Sequence, residues 1–112
     1  MRELTGLEII LLDDYYSYER HIEVISQELE NDKPIGYISR KTINGKVQHY
    51  LQWREGGKIK SKYINDDELP LIEKKIERRK AFQENIKELK HDMKIIKRAL
   101  GGNLIEKYRD KI

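Results

Sequence analysis

Residues 35–64 carry seven cations, Arg40, Lys41, Lys46, Arg54, Lys58, Lys60 and Lys62, against one acid, Glu55. Gln48, Tyr50 and Gln52 fall among them at alternate positions. Side chains of these types bind rather than make bonds. Lysine and arginine neutralise phosphates, glutamine offers a donor and an acceptor to a base edge, and tyrosine offers a ring. The charge is sorted along the chain: residues 1–34 are net −6, residues 35–64 net +6 and residues 65–112 net +3, giving +3 overall. A mild total therefore hides a strongly basic middle segment, which points to an anionic partner for that segment.

Bond-making chemistry finds little support. His21, His49 and His91 lie far apart and share no metal-ligand spacing. His21, beside Glu19 and Glu23, reads as surface pairing, and His49 as a satisfied core histidine. Asp13-Asp14 reads as a solvated helix face, and Asp66-Asp67-Glu68 as a helix start. Glu55-Gly56-Gly57 joins two strands instead of preceding a helix, so it is no phosphate loop. No serine or tyrosine stands beside a base in a recognisable pattern. The expectation is a protein that is not an enzyme, with no catalytic residues, no metal and no cofactor.

A length of 112 residues suits one domain spanning 1–112. With 38% charged residues and a mean hydropathy of −0.84, the core must be thin and built from well-placed stripes. The absence of cysteine excludes disulfides and thiolate metal sites. No apolar run approaches the roughly 18 residues of a membrane span, and Met1-Arg2-Glu3 does not resemble a secretory signal. No membrane partner is expected, and the location predicted is the cytoplasm.

Three elements must position the basic segment. A helix over 5–31 opens on Thr5-Gly-Leu-Glu8, a capping box, with Leu4 and Ile9 placed for a hydrophobic staple. Leu7, Leu11, Tyr15, Tyr18, Ile22, Ile25 and Leu29 then recur at helical spacing. Asn31-Asp-Lys-Pro34 stops the helix, because the residue before proline is pushed out of the helical region.

A three-stranded antiparallel meander over 35–64 follows. Asn44-Gly45 is a two-residue hairpin signal, since a type I′ turn needs positive φ at both positions. Pairing Ile43 with Lys46 puts Ile38, Arg40, Val47, His49, Leu51 and Trp53 on one face, predicted to be buried. Tyr37, Ser39, Lys41, Gln48, Tyr50 and Gln52 share the open face. For the third strand, a three-residue loop with a bulge is favoured. It would place Ile59 and Tyr63 on the Trp53 face, and Lys58, Lys60 and Lys62 on the open one.

A second helix over 66–100 starts in Asn65-Asp-Asp-Glu-Leu-Pro70, where acids suit the dipole. Its stripe runs Leu69, Ile72, Ile76, then Phe82, Ile86, Leu89, Met93, Ile96 and Leu100, with a slip of phase filled by Arg78-Arg79-Lys80. Gly101-Gly102 ends it, and residues 103–112 form a short helix or a tail. The fold class expected is α+β, two long antiparallel, coiled-coil-like helices joined by the meander. Glu19 then faces Lys90 and Lys97 across the helix pair.

Among the candidate surfaces, Tyr15-Tyr16-Ser-Tyr18 reads as packing of a helix against the sheet with hydroxyls in water, in preference to a base-stacking platform. Lys87, Lys90, Lys94 and Lys97 read as partners for acids of the first helix. Arg78-Arg-Lys80 with Lys74-Lys75 could extend the sheet's positive surface. The sheet itself is the best nucleic-acid candidate, because a narrow antiparallel ribbon fits a major groove. Its competing reading is lysines that protect a sheet edge from aggregation.

Gly36-Tyr-Ile-Ser-Arg-Lys-Thr-Ile-Asn-Gly-Lys46, Tyr50-Leu-Gln-Trp-Arg-Glu-Gly-Gly-Lys58 and Lys60-Ser-Lys-Tyr-Ile64, with the charged helix after them, resemble a family of small bacterial proteins of unknown function. That resemblance covers residues 35–98 and implies a setting of mobile elements or operons encoding nucleotidyltransferase-type toxins. In layout the three strands and helix also resemble the arm-binding domains of phage integrases, which lay a sheet in the DNA major groove. The long first helix has no counterpart in that second likeness, and no recombinase catalytic domain is expected to follow the helix here. The expectation is a DNA-binding accessory or regulatory protein. Its phosphate contacts would be Arg40, Lys41, Lys46, Arg54, Lys58, Lys60 and Lys62, with Gln48, Gln52 and Tyr50 toward bases. The alternatives are a module that docks on an acidic protein partner, such as an antitoxin or phage-encoded inhibitor, and a homodimer formed through the helices.

Overall fold

The computed structural model describes residues 2–31 and 36–111. It is an α+β fold in the order α1 (Gly6–Asn31), β1 (Tyr37–Ile43), β2 (Lys46–Glu55), β3 (Lys58–Ile64), α2 (Leu69–Leu100) and α3 (Gly102–Lys107). The predicted first helix and meander are present; Pro34, expected to stop the helix, and Ile35, expected to start the first strand, lie outside the described residues. The chain divides into two compact units, Met1–Glu28 with Gln83–Ile112, and Leu29–Phe82. Among the described residues no helix is long and apolar enough to cross a membrane.

In the first unit the capping box forms as the sequence predicts. The Thr5 N–H donates to Glu8 Oε1 over 2.9 Å, and the Glu8 N–H donates to Thr5 Oγ1 over 3.1 Å. Arg2 adds a fork on the same carboxylate, Nη1 to Oε1 at 2.7 Å and Nη2 to Oε2 at 2.5 Å. The Arg2 hydrogen bond, and then that of the Thr5 backbone, hold the Glu8 carboxyl down at about 2.

The staple does not close, since Ile9 is exposed while Leu4 packs on a different cluster. That cluster is Leu12, Tyr16 and Ile105, with Leu4, Tyr15, Leu100 and Tyr108 against it. The predicted stripe must be corrected at its start. Leu7 is 66% exposed, and Leu12 and Tyr16 take the buried positions. The reason is α3. The C-terminal segment, left open in the sequence as helix or tail, folds back and brings Ile105 onto that side of α1. Farther along α1 the stripe holds, with Ile25 and Leu29 buried.

Tyr16 packs against α3, and its hydroxyl donates to the Ile105 carbonyl over 2.5 Å instead of meeting water. Burial raises its phenol pKa. Glu19, expected to face Lys90 and Lys97, pairs instead with Arg109. Arg109 also bonds Glu106 at 3.0 Å and lies 5.7 Å from the Tyr16 ring centre. That bond lowers the Glu106 carboxyl and, with the one to Glu19, raises Arg109.

In the second unit Asn65 caps α2. The Glu68 N–H donates to Asn65 Oδ1 over 2.8 Å, and Asn65 Nδ2 donates back to Glu68 Oε1 over 3.0 Å. Residues 66–68 form a turn, so the helix starts at Leu69 instead of 66. The slip in the α2 stripe is filled by Arg79, half-buried, which donates to the Leu29 carbonyl over 3.0 Å. Its neighbour Arg78 lies 5.0 Å over the Phe82 ring, so the Arg78-Arg79-Lys80 cluster is not one continuous basic surface. At the far end of α2, Gly101 takes φ 87° and ψ 145°, a region open to glycine, and its N–H bonds the Lys97 carbonyl at 2.8 Å.

Candidate nucleic-acid interface

The sheet has the order β1-β2-β3, antiparallel throughout. Its first hairpin has the predicted register. Ile43 pairs with Lys46 around Asn44 at φ 53° and Gly45 at φ 79°, the positive pair of a type I′ turn. At the other end of β1, a Cβ at Gly36 would come 1.6 Å from the Gln52 carbonyl oxygen. The chain enters the sheet at a backbone contact that only glycine permits.

The second turn corrects the expected register of the third strand. Glu55 pairs directly with Lys58, and Gly56 and Gly57 both take positive φ, 58° and 77°. The loop therefore has two residues, without the bulge that a three-residue loop would carry. A change of one residue reverses every side chain of a strand. Lys60 stands opposite Trp53 and Lys62 opposite Leu51, on the face expected to be buried. Tyr63 stands opposite Tyr50, Ser61 opposite Gln52 and Ile59 opposite Arg54, on the face expected to be open.

The ten residues predicted to contact nucleic acid thus divide between two faces. Arg40, Lys58, Lys60 and Lys62 share the tryptophan face with Ile38, His49, Leu51, Trp53 and Ile64. Ile64 is 2% exposed there, and the Trp53 indole donates to Glu55 Oε2 over 3.2 Å. Lys41, Lys46, Gln48, Tyr50, Gln52 and Arg54 share the tyrosine face with Tyr37, Ser39 and the three β3 residues. That face holds no acid at all, and Tyr37, Ile59 and Tyr63 on it are each more than half exposed.

Side chains on the tyrosine face are tied to one another. The Tyr50 and Tyr63 rings meet edge to face, 5.7 Å apart at 70°. Lys41 Nζ lies 5.1 Å over the Tyr50 ring, and the Tyr50 hydroxyl donates to Gln48 Oε1 over 3.1 Å. All seven sheet cations are exposed, and among the described residues none of them forms an ion pair.

The structure brings Gln48, Tyr50 and Gln52 together as predicted and removes Lys58, Lys60 and Lys62 from them. It adds Tyr63, expected on the opposite face. The signal for it was present in Gly56-Gly57, itself a dipeptide suited to a two-residue hairpin. His49 lies on the tryptophan face opposite Arg40 and Ile64, while His21 and His91 are exposed on the helices. Among the described residues no three His, Asp or Glu side chains converge as a metal site.

No curated protein and no solved structure matches the chain. The DUF6788 family, described as a domain of unknown function, matches residues 15–74. That stretch takes in most of α1, the whole sheet and the first turns of α2. It overlaps the stretch that resembles an uncharacterised bacterial family from residue 35 onward, and it contains both faces of the candidate interface. Because the matched stretch is more than half of the 112 residues, the chain belongs to the DUF6788 family.

Proposed function

We propose that this protein is a small nucleic-acid-binding accessory or regulatory factor that works through its basic sheet. One observation supports the reading above the rest: seven exposed cations stand on three adjacent strands with a single acid, and no ion pair among the described residues occupies them. Unpaired cations at this density neutralise a polyanion's phosphates and release its counterions, which supplies most sequence-independent affinity. Cations on both faces and along the outer strands let a backbone be held at the rim whichever face meets the bases.

The single open face expected to carry Lys58, Lys60 and Lys62 beside Gln48 and Gln52 is divided by the register of β3. Duplex DNA accordingly enters the proposal as one ligand form to be compared with a single strand. The protein is proposed to be no enzyme, to act in the cytoplasm and to serve a phage, mobile-element or defence system. The last part rests on the sequence resemblance alone.

Fluorescence anisotropy of the whole protein with duplex DNA, single-stranded DNA and RNA across a salt series tests the reading. Log affinity is expected to fall linearly with log salt, with a slope of about −0.9 per phosphate for a duplex and about −0.7 for a single strand. If no nucleic acid binds more tightly than ~10 μM near physiological salt, the reading is lost. The acidic protein partner then takes its place.

A further inference from the structure

We infer that the tyrosine face is a stacking platform for a single-stranded polynucleotide, whose bases lie on the exposed rings of Tyr37 and Tyr63 with Tyr50 between them as their support. This deepens the nucleic-acid reading and rests on it. The three rings come one from each strand. Tyr50 is directly opposite Tyr63, and Tyr37, paired with Gln52, lies on the diagonal from Tyr50. Diagonal and direct neighbours on one face are within reach of aromatic side chains, so the three form one surface across the sheet.

Two properties separate these rings from core tyrosines. Tyr37 is 56% and Tyr63 53% exposed, so a large apolar area on each meets water. They also sit with Lys41, Lys46 and Arg54 on a face that carries no acid. Rings for bases with cations for the backbone are the two components of single-strand binding. The central ring is held in advance by the edge of Tyr63, by Lys41 above it and by the hydroxyl bond to Gln48. Tyr63, resting on this fixed ring, has little side-chain freedom left to lose when a base arrives.

The occupant is a single strand because of what a ring can recognise. A duplex presents phosphates and base edges and keeps its base faces stacked inside, whereas an unpaired base offers a face to an aromatic side chain. A duplex reader would need long polar side chains at the centre of the ribbon. Here the centre is Tyr50 against Tyr63, and the lysines of β3 are turned to the other side. The charge is complementary to a polyanion and not to a second copy of this basic face.

The test uses the full chain with a mixed-sequence 12-nucleotide DNA, its RNA equivalent and the matching DNA duplex, by anisotropy at fixed salt. A single strand is expected to bind more tightly than the duplex. Tyr37→Ala and Tyr63→Ala should each weaken it about tenfold, while Tyr63→Phe, which keeps the ring, should bind as the parent does. Triple reversal of Lys58, Lys60 and Lys62 to Glu removes phosphate contacts and should weaken single strand and duplex alike, whereas the alanines should weaken the single strand selectively. Both tyrosines are more than half exposed, and a circular dichroism melt shows that each variant is folded. Tighter duplex binding, insensitive to the tyrosines, overturns this inference and leaves the nucleic-acid reading standing, as does loss of binding through the β3 lysines alone. If neither strand form binds, both fall.

Discussion

The Arg79 guanidinium donates to the carbonyl oxygen of Leu29 over 3.0 Å, between residues 50 positions apart. Leu29 lies in the last turn of α1, where carbonyls have no partner within the helix. A cation at a helix C-terminus satisfies such a carbonyl and also meets the negative end of the helix dipole. Arg79 therefore does two jobs at once: it fills the place in the α2 stripe between Ile76 and Phe82, and it closes the end of α1.

Replacing Arg79 with Met keeps the length of the side chain and removes the donor. A hydrogen bond to a charged group contributes about 1.5–3 kcal/mol, and the methionine recovers part of that through apolar contact. A loss of about 1–2 kcal/mol is expected in urea denaturation. Arg79→Lys keeps the charge without the fork and should fall between the two. A midpoint unchanged in both variants would show that the contact carries no stability.

Gly36 makes a sharper demand. A methyl group there would meet the Gln52 carbonyl oxygen at 1.6 Å and the Trp53 Cα at 2.9 Å, both main-chain atoms. Backbone cannot rotate away as a side chain can, so β1 would have to move off β2. Gly36→Ala is expected to lose roughly 3 kcal/mol or more, at the severe end for a single methyl. Urea unfolding of this variant beside Gly6→Ala, where a Cβ meets nothing within 4 Å, isolates the close contact from the general effect of removing glycine.

The two sheet turns, the doublets of α1 and Arg79 differ in how far they can be read in advance. The first hairpin was legible because Asn44-Gly45 admits one loop length, and loop length fixes register. Glu55-Gly56-Gly57 admits two. Burial of Ile59 and Tyr63 favours the three-residue loop, and the positive-φ pair of glycines makes the two-residue one. In α1 the doublets Leu11-Leu12 and Tyr15-Tyr16 each offer two neighbouring faces. Choosing between them requires knowing that α3 returns to this helix, a contact between residues some 90 apart that no local pattern records. Arg79 was hidden for a related reason, since an arginine inside an apolar stripe looks like a break in its period.

Tyr16 makes that return contact measurable. Its hydroxyl is buried on the Ile105 carbonyl, so Tyr16→Phe leaves a buried acceptor without this donor. The cost expected is about 1–2 kcal/mol in global stability. The loss should appear through local opening of α3, because six residues cannot hold their own helix. Amide exchange of Ile105 and Tyr108 should quicken well before that of the α1 amides. Ile105 and Tyr108 amides as well protected as those of the α1 core, in parent and variant alike, would mean that α3 and α1 open only together.

Glu8 gives the pH dependence a sign. The Arg2 hydrogen bond and the Thr5 N–H favour its charged form and bring it from 4.5 down to about 2 in the folded chain. The unfolded chain lacks these partners and binds the proton at the ordinary value, so acid favours unfolding. The contribution is complete above about 4.5 and is lost as pH falls from there toward about 2. Glu8→Gln retains an acceptor for the Thr5 N–H and has no charge to titrate. The gap between the urea midpoints of parent and variant should stay level above pH 5 and close by pH 2. Arg2 is 65% exposed at this pair, so added salt should narrow the gap at neutral pH without removing the part due to the cap. A gap that stays the same from pH 5 to pH 2 would mean that Glu8 titrates alike in the folded and unfolded chains, and the capping box would then owe nothing to its charge.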